Sequence, residues 1–186
     1  MPGPGLEQLL AGSRVVRLVE LIAPLGMPHW YVGAGAVSQT VWNRLHGFEL
    51  DDGIRDYDVA YFDPDLSADR EQSVAGQVAR VAAPLDVELD VKNQARVHLW
   101  YGERFGKPID PYPSCEAAIA TWPTTASCVG IRFDGDGAFV VCAPFGLDDL
   151  LAMVVRPNKT LVTEAVFREK AARWKARWPR LTVIDW

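Results

Sequence analysis

Apolar positions along the chain change period several times, and each change marks an element. Leu6, Leu9 and Leu10 recur at helical spacing until Gly12 interrupts them. Ser13 then caps a second helix carrying Val15, Val16, Val19, Ile22 and Ala23. Leu25-Gly26-Met27-Pro28 ends it, with glycine and proline where helices stop. Trp30-Tyr31-Val32 is a short apolar strand and Gly33-Ala34-Gly35 follows at once. Ala36, Val37, Val41, Trp42 and Leu45 restore the helical period up to Gly47. After a polar connection, Asp56-Tyr57-Asp58-Val59-Ala60-Tyr61-Phe62-Asp63 has the aromatic and β-branched make-up of a strand, closed by Pro64, which cannot continue a ladder. Ser67 caps a helix to about Ala82 with Val74, Val78 and Val81 as its buried stripe. Leu85, Val87, Leu89 and Val91 then alternate with Asp86, Glu88 and Asp90, a strand with its acids on one side.

The second half is more broken. Gly102 to Pro113 is a loop, and Ser114 caps a short helix that Trp122-Pro123 stops. Ala126 to Phe133 and Ala138 to Ala143 read as two strands joined by the hairpin turn Asp134-Gly135-Asp136-Gly137. That turn lacks the spacing and the closing Glu of a calcium loop. Gly146-Leu147-Asp148-Asp149 opens a helix through Met153 and Val154, ended by Pro157; another runs from about Thr163 to Trp178; Leu181 to Ile184 is a final strand. The expected class is α/β (α+β): a mixed sheet flanked by helices, with a C-terminal β-hairpin and helices. One domain is expected over residues 1–186, with N-terminal helices over 1–28, a core over 29–100 and an extension over 101–186.

Composition narrows the partners. Of 186 residues, 49% are hydrophobic and 23% charged, the balance of a chain that buries a sizeable core. A net charge of −5 argues against a grip on nucleic acid by the whole surface, which needs a basic stripe. Cys115, Cys128 and Cys142 are odd in number and form no CxxC pair, so buried thiols in a reducing cytoplasm are expected rather than zinc or disulfides. Met1 to Gly5 lacks a charged segment followed by an apolar core, and no apolar run is long enough to span a bilayer, so no membrane partner is expected.

Candidate chemistry concentrates in one stretch. Residues two apart on a strand share a face, so Asp56 and Asp58 project together. Two adjacent carboxylates repel unless a cation lies between them, and their oxygens are hard ligands suited to Mg2+. The alternative from these residues alone is an edge strand with a solvated acidic face. Asp90 is the candidate third acid if its strand pairs with that of Asp58. Gly33-Ala34-Gly35, between a strand and a helix, suits a phosphate, because glycine lets backbone approach and helix N-terminal amides face an anion. Lys92, Asn93, Gln94 and Arg96 combine cations with amides able to bind phosphate or a base edge. His98 is expected to be a hydrogen-bonded structural residue, and the cationic face of the last helix a solvated one.

In this order the glycine turn, Asp56-x-Asp58 and Asp90 resemble the nucleotidyltransferase superfamily typified by DNA polymerase β. The chain is more closely similar to a bacterial branch of nucleotidyltransferase-like proteins. The likeness is carried by Thr40-Val41-Trp42, Asp56 to Asp63, Val91-Lys92-Asn93-Gln94-Ala95-Arg96-Val97-His98, Trp122-Pro123 and Gly146-Leu147-Asp148-Asp149-Leu150, and covers most of Trp30 to Pro157. The resemblance implies a polymerase β-type core. It also implies transfer of a nucleoside monophosphate from a nucleoside triphosphate to an acceptor hydroxyl, with pyrophosphate released. Asp56, Asp58 and Asp90 would hold Mg2+ or Mn2+, Gly33-Ala34-Gly35 would cradle phosphates, and Lys92 or Arg96 would neutralise charge. One departure stands out: where the family turn carries a serine, this chain has Ala34. A nucleotide-binding or antitoxin-like regulator of the same fold, and a phosphohydrolase, remain the alternatives. The acceptor, whether protein, small molecule or RNA end, is open.

Overall fold

A mixed sheet of five strands, in the order β3-β2-β1-β4-β5, carries the fold of the computed structural model, which describes residues 5–186. The leader reading of the first residues falls outside the described ones. The strands are β1 (Tyr31–Gly33), β2 (Tyr57–Tyr61), β3 (Leu89–Asn93), β4 (Gly130–Phe133) and β5 (Phe139–Cys142). β1 runs antiparallel to both β2 and β4, β4 runs antiparallel to β5, and β2 and β3 are parallel. A parallel pair needs a crossover, and α4 (Ala68–Ala82) supplies it. The Ser67 hydroxyl accepts from the Arg70 amide to start α4, which buries Val74 and Val78. Strands of the expected extension therefore belong to the same sheet as those of the expected core.

Val32, Val59, Val91 and Ile131 lie on one face of this sheet and join one large apolar core. α1 (Leu6–Leu10), α2 (Arg14–Ile22) and α3 (Ala34–His46) contribute their buried stripes to it. The opposite face is only partly covered. Tyr31, Ala60 and Cys142 pack there with Cys115 and Ile119 of α6 (Cys115–Ile119) and with Cys128. All three cysteines are free and buried. The rest of that face stays open, and the acids sit there.

The C-terminal helix α8 (Glu164–Arg177) is fastened to α3 by tryptophan. Trp42 meets Trp174 edge-on with ring centroids 5.0 Å apart and lies 5.7 Å from Trp178. The Trp42 indole N–H donates to the Leu150 carbonyl at 3.3 Å, and that of Trp178 donates to the Asn43 side chain at 2.7 Å. Buried indoles thus keep their hydrogen bonds.

Three expectations are corrected. The strand expected over Leu85 to Val91 forms instead as β3, shifted toward the C-terminus. Ala83–Leu85 closes a 3-10 turn on Pro84, and Asp86 takes a left-handed φ of 50°, so pairing starts only at Leu89. The helix expected from Gly146 stops early, as α7 (Asp148–Leu151). Met153 adopts φ 57°, and β6 (Val154–Val155) pairs in parallel with β7 (Thr182–Val183). His98 is not fully hydrogen-bonded: its Nδ1 is buried without a partner. α5 (Val97–Phe105), which carries it, follows the turn Gln94–Arg96.

Candidate active site

Strand register builds the centre of the site. Gly33 pairs with Asp58, and Asp58 pairs with Asp90, so one row crosses β1, β2 and β3 on the open face. Asp56 lies two residues before Asp58, just ahead of β2. The expected pairing of the Asp90 strand with the Asp58 strand is therefore present in the structure. The Gly33 position admits no side chain: a Cβ there would lie 2.5 Å from the Val129 carbonyl oxygen and 2.9 Å from two carbons of the Trp122 ring. The ring of Trp122 rests on the backbone of β1 beside the carboxylates.

Two cavities meet at this row, and Asp58, Trp122 and Pro123 line both. The first, about 920 Å³, extends toward α8. Its walls include Ala34 and Gly35 at the start of α3, Arg55 and Asp56 before β2, and Lys170, Arg173 and Arg177 from α8. Spacings of three and four along α8 place these three cations on one helix face. That face was expected to be merely solvated; it lines the cleft instead. Its periodicity was visible in the sequence, but its destination depends on how the tryptophans seat α8.

Electrostatics in the cleft follow from crowding. Asp58 is pushed up to about 7, by burial first and then by the charges of Asp56 and Asp90, with Lys170 opposing. Lys170 is held below its ordinary value, chiefly by burial and then by Arg173, while Asp58 and Asp56 pull it back. An acid with a raised folded value binds more protons folded than unfolded between about pH 4 and 7, so stability falls as pH rises through that window. The metal-free protein should therefore lose Tm, relative to an Asp58→Asn variant, as pH is raised from about 4 to 7. Thermal scans of both across that range check this; parallel curves would mean that Asp58 carries no such burden.

The other expected site residues divide. Lys92 lines the second cavity, with its ammonium 3.1 Å from the Asp90 carboxylate. Asn93 and Arg96 are not brought to the site. Asn93 is fully buried, and its side chain receives the Asp63 and Ala95 amides and donates to the Asp63 and Asp65 carbonyls, tying the turn after β2 to the end of β3. Arg96 pairs with Glu71 of α4 and donates to the Leu66 carbonyl. Both hold the frame, and neither lines a cavity. At the glycine turn, the Ala34 amide already donates to the Val129 carbonyl at 3.0 Å, and Ala34 itself takes φ 54°, a strained value for a residue with a Cβ.

No three acidic, histidine or cysteine side chains among the described residues are gathered into a ready-made metal cage. The donor set is still of the right kind. Asp56, Asp58 and Asp90 are all hard oxygen ligands, and the mutual repulsion that raises Asp58 is what a divalent cation relieves.

A family model described as nucleotidyltransferase matches residues 20–183. The chain belongs to this nucleotidyltransferase family. Its fold is similar to that of a protein whose NMR structure reveals a CCA-adding enzyme head domain, with TM-score 0.73, 24% identity, and coverage of 92% of this chain and 89% of that one. It is also similar to an apo tRNA-processing enzyme, with TM-score 0.54, 15% identity, and coverage of 99% of this chain and 45% of that one. A CCA-adding enzyme in complex with ATP gives TM-score 0.51, 14% identity, and coverage of 98% of this chain and 42% of that one. The chain thus spans less than half the length of these last two. At such identities the likeness concerns the fold. No curated protein matches the sequence. No helix among the described residues is long and apolar enough to cross a membrane.

Proposed function

We propose that the chain moves a nucleoside monophosphate from a nucleoside triphosphate to an acceptor hydroxyl, with release of pyrophosphate, in a Mg2+- or Mn2+-dependent reaction. The observation that carries this reading is the register row of Asp58 and Asp90 beside Asp56, opening into a cleft walled by the cations of α8. Lys170 and Arg173 meet the triphosphate there, with Arg177 beside them in an ion pair with Asp52, and together they hold a polyanion that a single surface lysine would not. Gly35, at the start of α3, lines the cleft with the side-chain amide of Gln39 lying against it, and both face the phosphates. Asp56 and Asp58 would hold the metal, joined by Asp90. Bound there, a divalent cation would acidify the acceptor hydroxyl and neutralise charge on the departing phosphates. Asp90 accepts the acceptor's proton at its carboxylate, and Lys92 orients that carboxylate from 3.1 Å. Catalysis in such a site consists mainly of positioning and charge neutralisation.

The second reading is a nucleotide-binding regulator that lacks the reaction. Ala34 favours it, since the turn has no hydroxyl and the Ala34 amide is already engaged. Incubation with each α-32P-labelled nucleoside triphosphate, Mg2+ or Mn2+ and a cell extract decides between them. Transfer predicts a labelled product from the protein and none from the Asp56→Asn, Asp58→Asn double variant. Metal-dependent nucleotide binding without pyrophosphate release would overturn transfer in favour of regulation.

A further inference from the structure

The second cavity is left unused by the nucleotide cleft. It has a volume of about 580 Å³ on the Asp90 side of the row, within the ~300–1,000 Å³ of small-molecule sites. Its lining is apolar and flat-faced. α5 contributes Trp100, Tyr101 and Phe105, with the Tyr101 and Phe105 ring centroids 4.6 Å apart. Across from α5, the Tyr112 hydroxyl is fixed by a 2.8 Å hydrogen bond with Thr121. Two cations stand among these rings. The Arg104 guanidinium lies 5.9 Å from the Trp100 centroid and 5.4 Å from that of Phe105. Lys107 also lines the cavity. No ion pair among the described residues engages Arg104 or Lys107. Stacking surfaces beside cations without acidic partners recognise a planar ring that carries an anion. The sheet side of the same cavity presents Asp58, Asp90 and Lys92.

We propose that this cavity is the acceptor site, and that the acceptor is a small nucleotide-like alcohol: a flat ring, a hydroxyl and a phosphate, of the nucleoside-monophosphate class. The proposal rests on the reading that the α8 cleft holds the triphosphate. Trp122, lining both cavities, then stands between donor and acceptor, and Asp58 touches both. The acceptor ring stacks against Trp100 and Tyr101, and its phosphate meets Arg104 and Lys107. Its hydroxyl faces Asp90, which takes the proton. The hydroxyl oxygen forms a bond to the α-phosphorus while the bond from that phosphorus to the bridging oxygen breaks. Pyrophosphate leaves with the electron pair, and a phosphodiester-linked dinucleotide is the product. The size of the cavity and a net charge of −5 favour a small acceptor over the end of a polynucleotide, which would need a basic groove for its flanking phosphates.

Calorimetric titration of AMP and of adenosine, without metal or triphosphate, tests this. AMP should bind saturably and more tightly than adenosine, since only AMP offers an anion. Arg104→Glu, at an exposed position, should weaken AMP by about tenfold or more while changing adenosine far less. Lys170→Met, in the other cleft, should leave AMP unchanged and weaken ATP. AMP binding that ignores Arg104→Glu, or that falls with Lys170→Met, would overturn the proposal by putting AMP in the donor cleft. No saturable AMP or adenosine binding, with ATP binding intact and dependent on Lys170, would overturn it while leaving the donor-cleft reading standing. Arg104-dependent binding of a short RNA without AMP binding would overturn it in favour of a polynucleotide acceptor. ATP binding indifferent to Lys170→Met would count against the donor cleft alone, because AMP is titrated in its absence.

Discussion

Replacing Asp58 with Asn will lower nucleotidyl transfer by about a hundred- to a thousandfold while leaving the protein folded. Asp58 is the carboxylate shared by the register row and by both cavities, so no other side chain can substitute for its charge. Asn has nearly the same shape, keeps one oxygen and loses the charge with which Asp58 would hold a divalent cation. The same change removes a half-buried carboxylate that Asp56 and Asp90 repel. The metal-free variant should therefore melt no lower than the parent at pH 8, and higher if repulsion outweighs the lost attraction to Lys170. Activity lost with Tm kept or raised separates a ligand from a packing residue. A steady-state assay beside a thermal scan reads both. Transfer at near-normal rate by this variant would sink the assignment of the acidic row as the reacting centre.

Truncating Trp42 to Ala will destabilise the protein by about 3–5 kcal/mol, a large share of the ~5–15 kcal/mol that holds a typical domain folded. Trp42 is fully buried, touches two other tryptophans and donates to the Leu150 carbonyl. Its removal leaves a cavity between α3 and α8, while the Leu150 carbonyl keeps its bond from the Met153 amide. The second consequence reaches the site. α8 carries Lys170, Arg173 and Arg177, so loosening its seat should raise KM for the triphosphate more than it lowers kcat, measured at a temperature where the variant is folded. Urea unfolding and initial rates give the two numbers. An unchanged unfolding midpoint would show that the tryptophan cluster is not what seats α8.

Local chemistry made much of this molecule readable before its fold was known. Ser13, Ser67 and Ser114 each cap the helix that follows, since capping depends on a side chain and an amide three residues away. The Asp134-Gly135-Asp136-Gly137 turn joins β4 to β5 for the same short-range reason, with the Asp134 carboxylate receiving the Asp136 and Ala138 amides. Asp56 and Asp58 were found by period alone, and Asp90 by alternation beside them. Where the reading missed, distant partners decided. Asn93 and Arg96 have the composition of a phosphate site, but Asp63, Asp65, Leu66 and Glu71 claim them. The strand expected from Leu85 starts at Leu89, because pairing with β2 begins there.

The residues that matter to the site thus have two origins. Spacing along β2 and the glycine turn placed two acids and a close backbone approach in view, because strand alternation and the absence of a Cβ are properties of neighbours in the chain. The alignment of Asp90 with Asp58 needed strand register, which the α4 crossover sets. The cations of α8 needed the packing of Trp42, Trp174 and Trp178, residues more than a hundred positions apart in sequence for their closest meeting. The division into two cavities needed the Trp122 ring to settle on Gly33. Contacts of that range depend on how buried surfaces fit together, and no periodicity along the chain records them.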